Sequence, residues 1–438
     1  MKTVAFITLG CKVNQYETNA MSQKLIEEGY KIVEHIQKAD IYIINTCTVT
    51  NMSDRKSRQM IRRAKEINPE AIIIAVGCYV QVAKKEIEKI KEIDLALGNE
   101  EKVDIVKYCN EIIQKNKKEE IADVMQSRKF AEFGETSYTE KTRAVIKVQD
   151  GCDRFCSYCI IPYARGRVRS REPEHIIKEI KQIANEGIKE VVITGIHIAS
   201  YGKDFKKDYK LIDLLEEINK IDGIERIRLG SIEPLLITEE FVQRLVKLEK
   251  ICEQFHLSLQ SGCDETLKRM NRRYTTQQFE EIVKRLRKAY DNVNLTTDII
   301  VGFPGETEEE FAKTYKFLEK IKFYKMHIFK YSRRKGTAAD KMPDQIPENI
   351  KSERSTELLE LNEILSNRYR EKYIGKKVKV LLEENHIIEN KKYIIGFTDT
   401  YVRVALENPE EKLYTNQIVN VRVKKLFEKD MVIGVAEN

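Results

Sequence analysis

The sequence lacks any apolar run of the roughly 18–20 residues that a membrane span requires. Its longest, Ala71 to Val80, is interrupted by Gly77 and Cys78. The opening stretch MKTVAFITLGCKVNQ holds too short an apolar segment for a signal-peptide core and reads directly as a first strand. No internal repeat and no low-complexity tract is present. A cytoplasmic protein is therefore expected, with no membrane partner. A large charge surplus is missing too. The net +7 permits an anionic partner such as RNA without demanding one.

What is present suits a soluble chain of two or three domains: 438 residues, 42% hydrophobic, enough to build sizeable cores. Nine cysteines in a reducing compartment are expected as thiols, so any grouping among them points to metal or catalysis. Residues 1–115 alternate short β-rich runs (3–8, 41–45, 72–76) with helical patterns, which predicts a small parallel α/β domain. Residues 116–141 are polar and aperiodic and read as a linker. From 142 to about 370 the alternation resumes, with strands expected at 143–148, 190–195, 226–231, 255–260, 294–301 and 325–331. Six β/α units make an open doubly wound sheet or a partial barrel, and both place active sites at the strand carboxyl ends. Residues 371–438 change to alternating strands and predict a small antiparallel β-barrel of a kind often used to hold nucleic acid.

The segment DGCDRFCSYCIIPYARG carries C-x3-C-x2-C directly after the first strand of the second block. Three thiolates from one short loop can hold three irons of a four-iron cluster and leave the fourth iron open to a substrate. A structural zinc site needs a fourth protein ligand. None follows at zinc-like spacing, so Cys252 or Cys263 would have to fold in from a distance. Cys11, Cys47 and Cys78 form a second set, each just beyond the end of one of the first three strands. In a parallel sheet those ends share one edge, so the three can converge on a second cluster, with a redox or structural thiol group as the alternative.

Cys152, Cys156 and Cys159, with the aromatic Tyr158 before the third, resemble the signature of the radical S-adenosylmethionine enzymes. The six β/α units fit that family's partial (β/α)6 barrel. The resemblance implies a [4Fe-4S] cluster that binds S-adenosylmethionine and yields a 5′-deoxyadenosyl radical. It also implies cofactor contacts at Tyr158, Gly195, Glu233, Gln260 and Ser261. Gly195 reads equally as an ordinary turn and Glu233 as a surface carboxylate. His197 lies close by, with no assigned role.

LGCKVNQYET, NTCTVT, GCDRFCSYCIIPYARG, HLSLQSG and VGFPGET together resemble the methylthiotransferase family over essentially the whole chain. That likeness implies two [4Fe-4S] clusters, an N-terminal methylthiotransferase domain, a radical core and a C-terminal TRAM-like barrel. Two S-adenosylmethionine molecules per turnover are implied: one methylates a sulfur held at the Cys11–Cys47–Cys78 cluster, and the other furnishes the radical. No catalytic residue beyond the cluster ligands is required, because the target C–H bond has no acidic proton. An electron donor such as flavodoxin or ferredoxin is expected, and the sulfur source is not legible.

Family members act on tRNA adenosines beside the anticodon or on an aspartate of a ribosomal protein. Basic clusters at Arg165–Arg171, Lys268–Arg273 and Arg333–Lys335 favour tRNA, with a solvated basic surface as the plain alternative. TLGCKVNQYET, TGIHIASYG and YSRRKGT resemble the branch modifying N6-threonylcarbamoyladenosine rather than isopentenyladenosine. Arg333, Arg334 and Lys335 are then candidate substrate contacts, the arginines pairing with the threonyl carboxylate. A cluster-bearing RNA-binding regulator without turnover is the alternative of a different class.

Overall fold

The computed structural model describes residues 2–113, 121–134 and 142–437. Strands β1 (Thr3–Thr8), β2 (Lys31–Val33), β3 (Ile41–Thr46), β4 (Ile72–Gly77) and β5 (Leu95–Leu97) form one parallel sheet in the order β2-β1-β3-β4-β5. The two short edge strands escaped the sequence pattern because three residues carry no readable period. Helices Lys12–Glu27 and Asn51–Ile67 cross between strands. The chain steps outward from β1 to β2, then returns past β1 to β3. The gap between the carboxyl ends of β1 and β3 is therefore the topological switch point, where such sheets bind ligands.

The central block follows the expected α/β alternation. Its strands are β6 (Arg143–Asp150), β7 (Arg169–Ser170), β8 (Glu190–Gly195), β9 (Arg226–Leu229), β10 (Ser231–Ile232), β11 (Gln254–Leu257), β12 (Asn294–Val301) and β13 (Lys325–Lys330). They form two four-stranded sheets, β7-β6-β8-β9 and β10-β11-β12-β13. The third expected strand is split at Gly230 into β9 and β10, one in each sheet. The Gly230 N–H still bonds Ile193 O at 2.8 Å. The result is an open barrel with a lateral gap between its β7–β6 edge and β13.

Strand alternation sorts the side chains. Ala144, Ile146 and Val148 of β6 and Val191 and Ile193 of β8 join the large outer core under the helices. The intervening positions, among them Arg143, Lys147, Glu190, Arg228, His256 and Asp298, face inward and make the lumen polar.

Strands β14 (Lys377–Ile388), β15 (Lys391–Thr398), β16 (Arg403–Glu407), β17 (Ile418–Phe427) and β18 (Met431–Glu437) close into a barrel in the order β14-β15-β16-β18-β17. This is the small antiparallel barrel expected, with one parallel pair, β16 and β18. That pair is the seam at which the barrel closes. The barrel docks on the amino-terminal ends of the core strands. Arg226 donates to Lys379 O and Phe397 O, both at 2.9 Å, and Arg228 donates to Asp399 O at 2.9 Å.

Of the stretch read as a linker, residues 114–120 and 135–141 lie outside the described residues. Residues 121–134 form a packed strap. Phe133 is buried edge-on to Tyr16, and Glu132 pairs with Arg171 at 2.9 Å. Among the described residues no helix is long and apolar enough to cross a membrane.

Candidate active site

The loop after β6 begins with a glycine requirement. Gly151 has φ +71, and a Cβ there would lie 1.8 Å from Arg167 O, so no other residue fits this turn. The Cys152 N–H then bonds Gly166 O at 3.0 Å, and the Cys159 N–H bonds Cys156 O at 2.9 Å. Ser157 fastens the loop across the barrel mouth, its N–H to Met270 O at 3.1 Å and its hydroxyl to Arg269 O at 2.7 Å. Arg272 donates to Cys156 Sγ at 3.4 Å, and the Arg154 N–H lies 3.5 Å from Cys152 Sγ.

Cys47 and Cys78 are buried and Cys11 is exposed. Gly10 (φ +97) lets the ends of β1 and β3 approach, for a Cβ there would sit 2.7 Å from Cys47 Sγ. Cys11 caps the amino terminus of helix Lys12–Glu27, where the helix dipole favours an anionic sulfur. Burial raises the Cys47 thiol above its ordinary value, and its neighbours Cys78 and Cys11 add to the rise. Burial likewise pushes Cys152 to about 11 and Cys159 to about 12.

This donor set suits iron–sulfur ligation. Desolvated thiols gain little from ionising alone, and a bound metal supplies the missing positive charge. Among the described residues no three His, Cys, Asp or Glu side chains converge on one ion position, as a single zinc would need. Three cysteines that each take a different iron need no such point.

The two thiol sets share a wall. Arg165, on the short helix that follows Cys159, is fully buried and donates through Nε to Cys78 Sγ at 3.3 Å. Its other nitrogens reach Glu17 Oε1 at 2.6 Å and Asn14 Oδ1 at 2.7 Å. Lys102 and Lys147 also bond Glu17, at 2.5 and 2.8 Å, and Lys147 bonds Asp150 at 2.6 Å. Burial alone would raise Glu17, but Arg165, Lys102 and Lys147 hold it well below the usual carboxylate range. This interior network joins the N-terminal sheet to the barrel at the place where the two sets meet.

The other expected cofactor positions divide. Gly195 lies against Gln149, where a Cβ would come 2.9 Å from the Gln149 carbonyl. Tyr158 packs edge-on to Phe303 of the VGFPGET segment. Glu233 is buried and pairs with Arg154 of the cysteine loop at 3.1 Å, so it is not the surface carboxylate of the plain reading. Gln260, three residues beyond β11 and bridged to Ile299, holds φ +74, a conformation seldom adopted without glycine and often found at functional sites. Ser261 is turned to packing, its hydroxyl 3.2 Å from Thr314 Oγ1. His197 bonds Ser200 Oγ at 2.8 Å, and burial, aided by Arg154, Lys203 and Arg272, drops it to about 3, so it stays neutral.

The basic clusters change most. Arg165, Arg169 and Arg171 are buried and paired with acids, and of that run Arg167 alone stays exposed. Arg334 is also buried. It bonds Asp54 Oδ2, Asn51 Oδ1 and Thr48 Oγ1, each at 2.6 Å, and pins the segment after β13 to the strand end that carries Cys47. Arg334 is therefore not open to a substrate. Arg333 is exposed and paired with Asp340 at 2.7 Å, and Lys335 is exposed. The partners of the buried arginines lie far away in sequence, which is why local spacing suggested a phosphate-binding edge.

Fold and site together define a radical-type core whose lateral gap is covered by a second, cysteine-bearing α/β domain. A model of the Radical SAM superfamily matches residues 146–318, and one described as Uncharacterized protein family UPF0004 matches residues 3–98. The chain is 42% identical to a Bacillus subtilis protein named threonylcarbamoyladenosine tRNA methylthiotransferase MtaB, over 97% of this chain and 94% of that one. A Thermotoga maritima protein of the same name is 38% identical, over 99% and 96%. A Clostridium botulinum tRNA-2-methylthio-N(6)-dimethylallyladenosine synthase is 36% identical, over 95% and 93%. The chain belongs to the radical S-adenosylmethionine methylthiotransferase family. Among solved structures, the radical S-adenosylmethionine methyltransferase TsrM from Kitasatospora setae shares the fold, with TM-score 0.56 at 16% identity over 77% of both chains.

Proposed function

We propose that the chain methylthiolates C2 of N6-threonylcarbamoyladenosine beside the anticodon of tRNA, giving 2-methylthio-N6-threonylcarbamoyladenosine. The observation that carries this reading is the adjacency of two three-cysteine sets, joined through Arg165, in a chain 42% identical to an enzyme named for that substrate. Cys152, Cys156 and Cys159 would hold one [4Fe-4S] cluster, and Cys11, Cys47 and Cys78 a second. When bound, these groups with S-adenosylmethionine supply a reducing electron, a hydrogen-abstracting radical and the methylated sulfur.

The chain's own residues position and shield. Arg154 and Glu233 brace the cysteine loop, Arg272 and Arg165 direct N–H groups at sulfur, and the buried ion network keeps the two sets in fixed relation. The exposed Arg167, Lys268, Arg273, Arg333 and Lys335 supply scattered phosphate contacts. The enzyme would work in the cytoplasm and draw electrons from a flavodoxin or ferredoxin.

The test is mass spectrometry of tRNA nucleosides from cells lacking the protein. Loss of 2-methylthio-N6-threonylcarbamoyladenosine supports the reading. Loss of the methylthiolated dimethylallyl nucleoside instead would move the chain to the branch of the 36% identical relative.

A further inference from the structure

Helix Asn51–Ile67 begins just past Cys47, and between Asn51 and Lys65 it carries six cations against one carboxylate, Asp54. Asp54 is turned inward to Arg334, while Ile61 and Ala64 are buried against the sheet. The cations divide by helical position. Arg58, Arg62 and Lys65 lie on one flank and pair with Glu86, Glu92 and Asp94 at 3.6, 3.7 and 3.6 Å. Arg55, Lys56 and Arg63 are exposed on the face opposite the buried one, and Glu66 closes that stripe at its far end. Among the described residues no carboxylate forms an ion pair with any of these three. Arg55 with Arg58, Arg58 with Arg62 and Arg62 with Lys65 stand three or four residues apart, a like-charge spacing that weakens a helix taken alone.

The outer stripe runs into the candidate site. The Asn51 N–H bonds Ser332 Oγ at 3.0 Å, and its side-chain amide bonds Arg333 O at 3.0 Å. The exposed Arg333 and Lys335 therefore adjoin the first turn of the helix, next to Met52, which is 66% exposed. From there the outward cations continue away from the cysteines, with Arg55 and Arg63 about 12 Å apart along the axis. A nucleic-acid duplex presents several phosphates over such a length. A membrane would need an apolar face to insert, and the apolar face of this helix is already buried.

We propose that the outer face of helix Asn51–Ile67 is the docking surface for the anticodon arm of tRNA. Arg55, Lys56 and Arg63 meet phosphates of the stem, and Arg333 and Lys335 hold the backbone at the loop end, beside the cysteines. This rests on the reading of tRNA as substrate and on no particular modified nucleoside.

The test uses the holoenzyme, reconstituted anaerobically, and an unmodified tRNA transcript, with affinity measured over a series of salt concentrations. The triple variant Arg55→Gln, Lys56→Gln, Arg63→Gln should bind at least about thirtyfold more weakly at low salt, and its slope of log affinity against log salt should be shallower by about two to three. Iron content and S-adenosylmethionine cleavage without tRNA should match wild type. A second triple, Lys181→Gln, Lys247→Gln, Lys288→Gln, removes the same charge from exposed lysines of the core and should leave affinity within about threefold. Unchanged affinity and slope in the first triple overturn the assignment, as does an equal loss in the second, which would make net charge the cause. Loss of iron or of cleavage in the first triple also overturns it, in favour of a structural role. So does a wild type that does not bind the transcript. Weakened binding to anionic phospholipid vesicles with tRNA affinity intact would give the face to a membrane instead. Methylthiolation by wild type of the dimethylallyl nucleoside in place of the threonylcarbamoyl one counts against the substrate reading alone and leaves the docking surface standing.

Discussion

Arg165 Nε donates to Cys78 Sγ at 3.3 Å, so the helix that begins just past Cys159 touches a cysteine of the other set. N–H···S contacts of this kind set the orientation and basicity of metal-bound sulfur. Arg165→Met should abolish the N-terminal cluster while sparing the other, halving iron from about eight to about four per chain. S-adenosylmethionine cleavage on reduction should persist without methylthiolation. The same change leaves Glu17 and Asp150 short of a buried partner, a loss of roughly 3–5 kcal/mol in stability. Iron analysis with electron paramagnetic resonance checks the first effect and urea unfolding the second.

Gly10 should tolerate no side chain. Gly10→Ala forces an alanine into a left-handed backbone and places its Cβ 2.7 Å from Cys47 Sγ. The N-terminal cluster should fail to assemble although the barrel folds. Iron content of the variant, with circular dichroism to confirm folding, decides this.

Arg334 and Arg333 are neighbours with opposite expected outcomes. Arg334→Ala removes the partner of Asp54 at the interface between the domains and should cost about 3 kcal/mol. Arg333→Ala breaks an exposed pair and should change stability by less than about 1 kcal/mol. Thermal melts of the two variants should differ by several degrees.

A pH-dependent contribution comes from Glu383, where the C-terminal barrel meets the core. Burial raises its carboxyl to about 6 even though Arg143 lies 2.6 Å away. A carboxyl raised on folding binds its proton more tightly in the native state. Its stabilisation is complete below the unfolded value near 4.5 and fades as pH climbs through about 6. Glu383→Gln should flatten the fall in stability between those limits, by at most about 2 kcal/mol. Unfolding midpoints at intervals across that range, for wild type and variant, check it.

The sequence made legible what local pattern encodes. The strand ends bearing Cys11, Cys47 and Cys78, and the loop of Cys152, Cys156 and Cys159, follow from hydrophobic periodicity and spacing. The buried ion network did not, because Glu17, Lys102, Lys147 and Arg165 meet only through tertiary packing. Alternate arginines from 165 to 171 look alike in sequence, yet one faces water and three face acids from other elements. The split at Gly230 escaped because a one-residue break leaves the apolar pattern of 226–232 intact.

The central claim is that two cysteine sets in one chain cooperate in methylthiolation of a tRNA nucleoside. It is tested most directly by anaerobically reconstituted protein with reductant, S-adenosylmethionine and tRNA bearing threonylcarbamoyladenosine, read by mass spectrometry of the nucleoside. The account predicts a nucleoside heavier by a methylthio group in place of hydrogen. It predicts none with Cys47→Ala, which should still cleave S-adenosylmethionine, and none with Cys156→Ala, which should not cleave it. Methylthiolation by the Cys47 variant at the wild-type rate would contradict it.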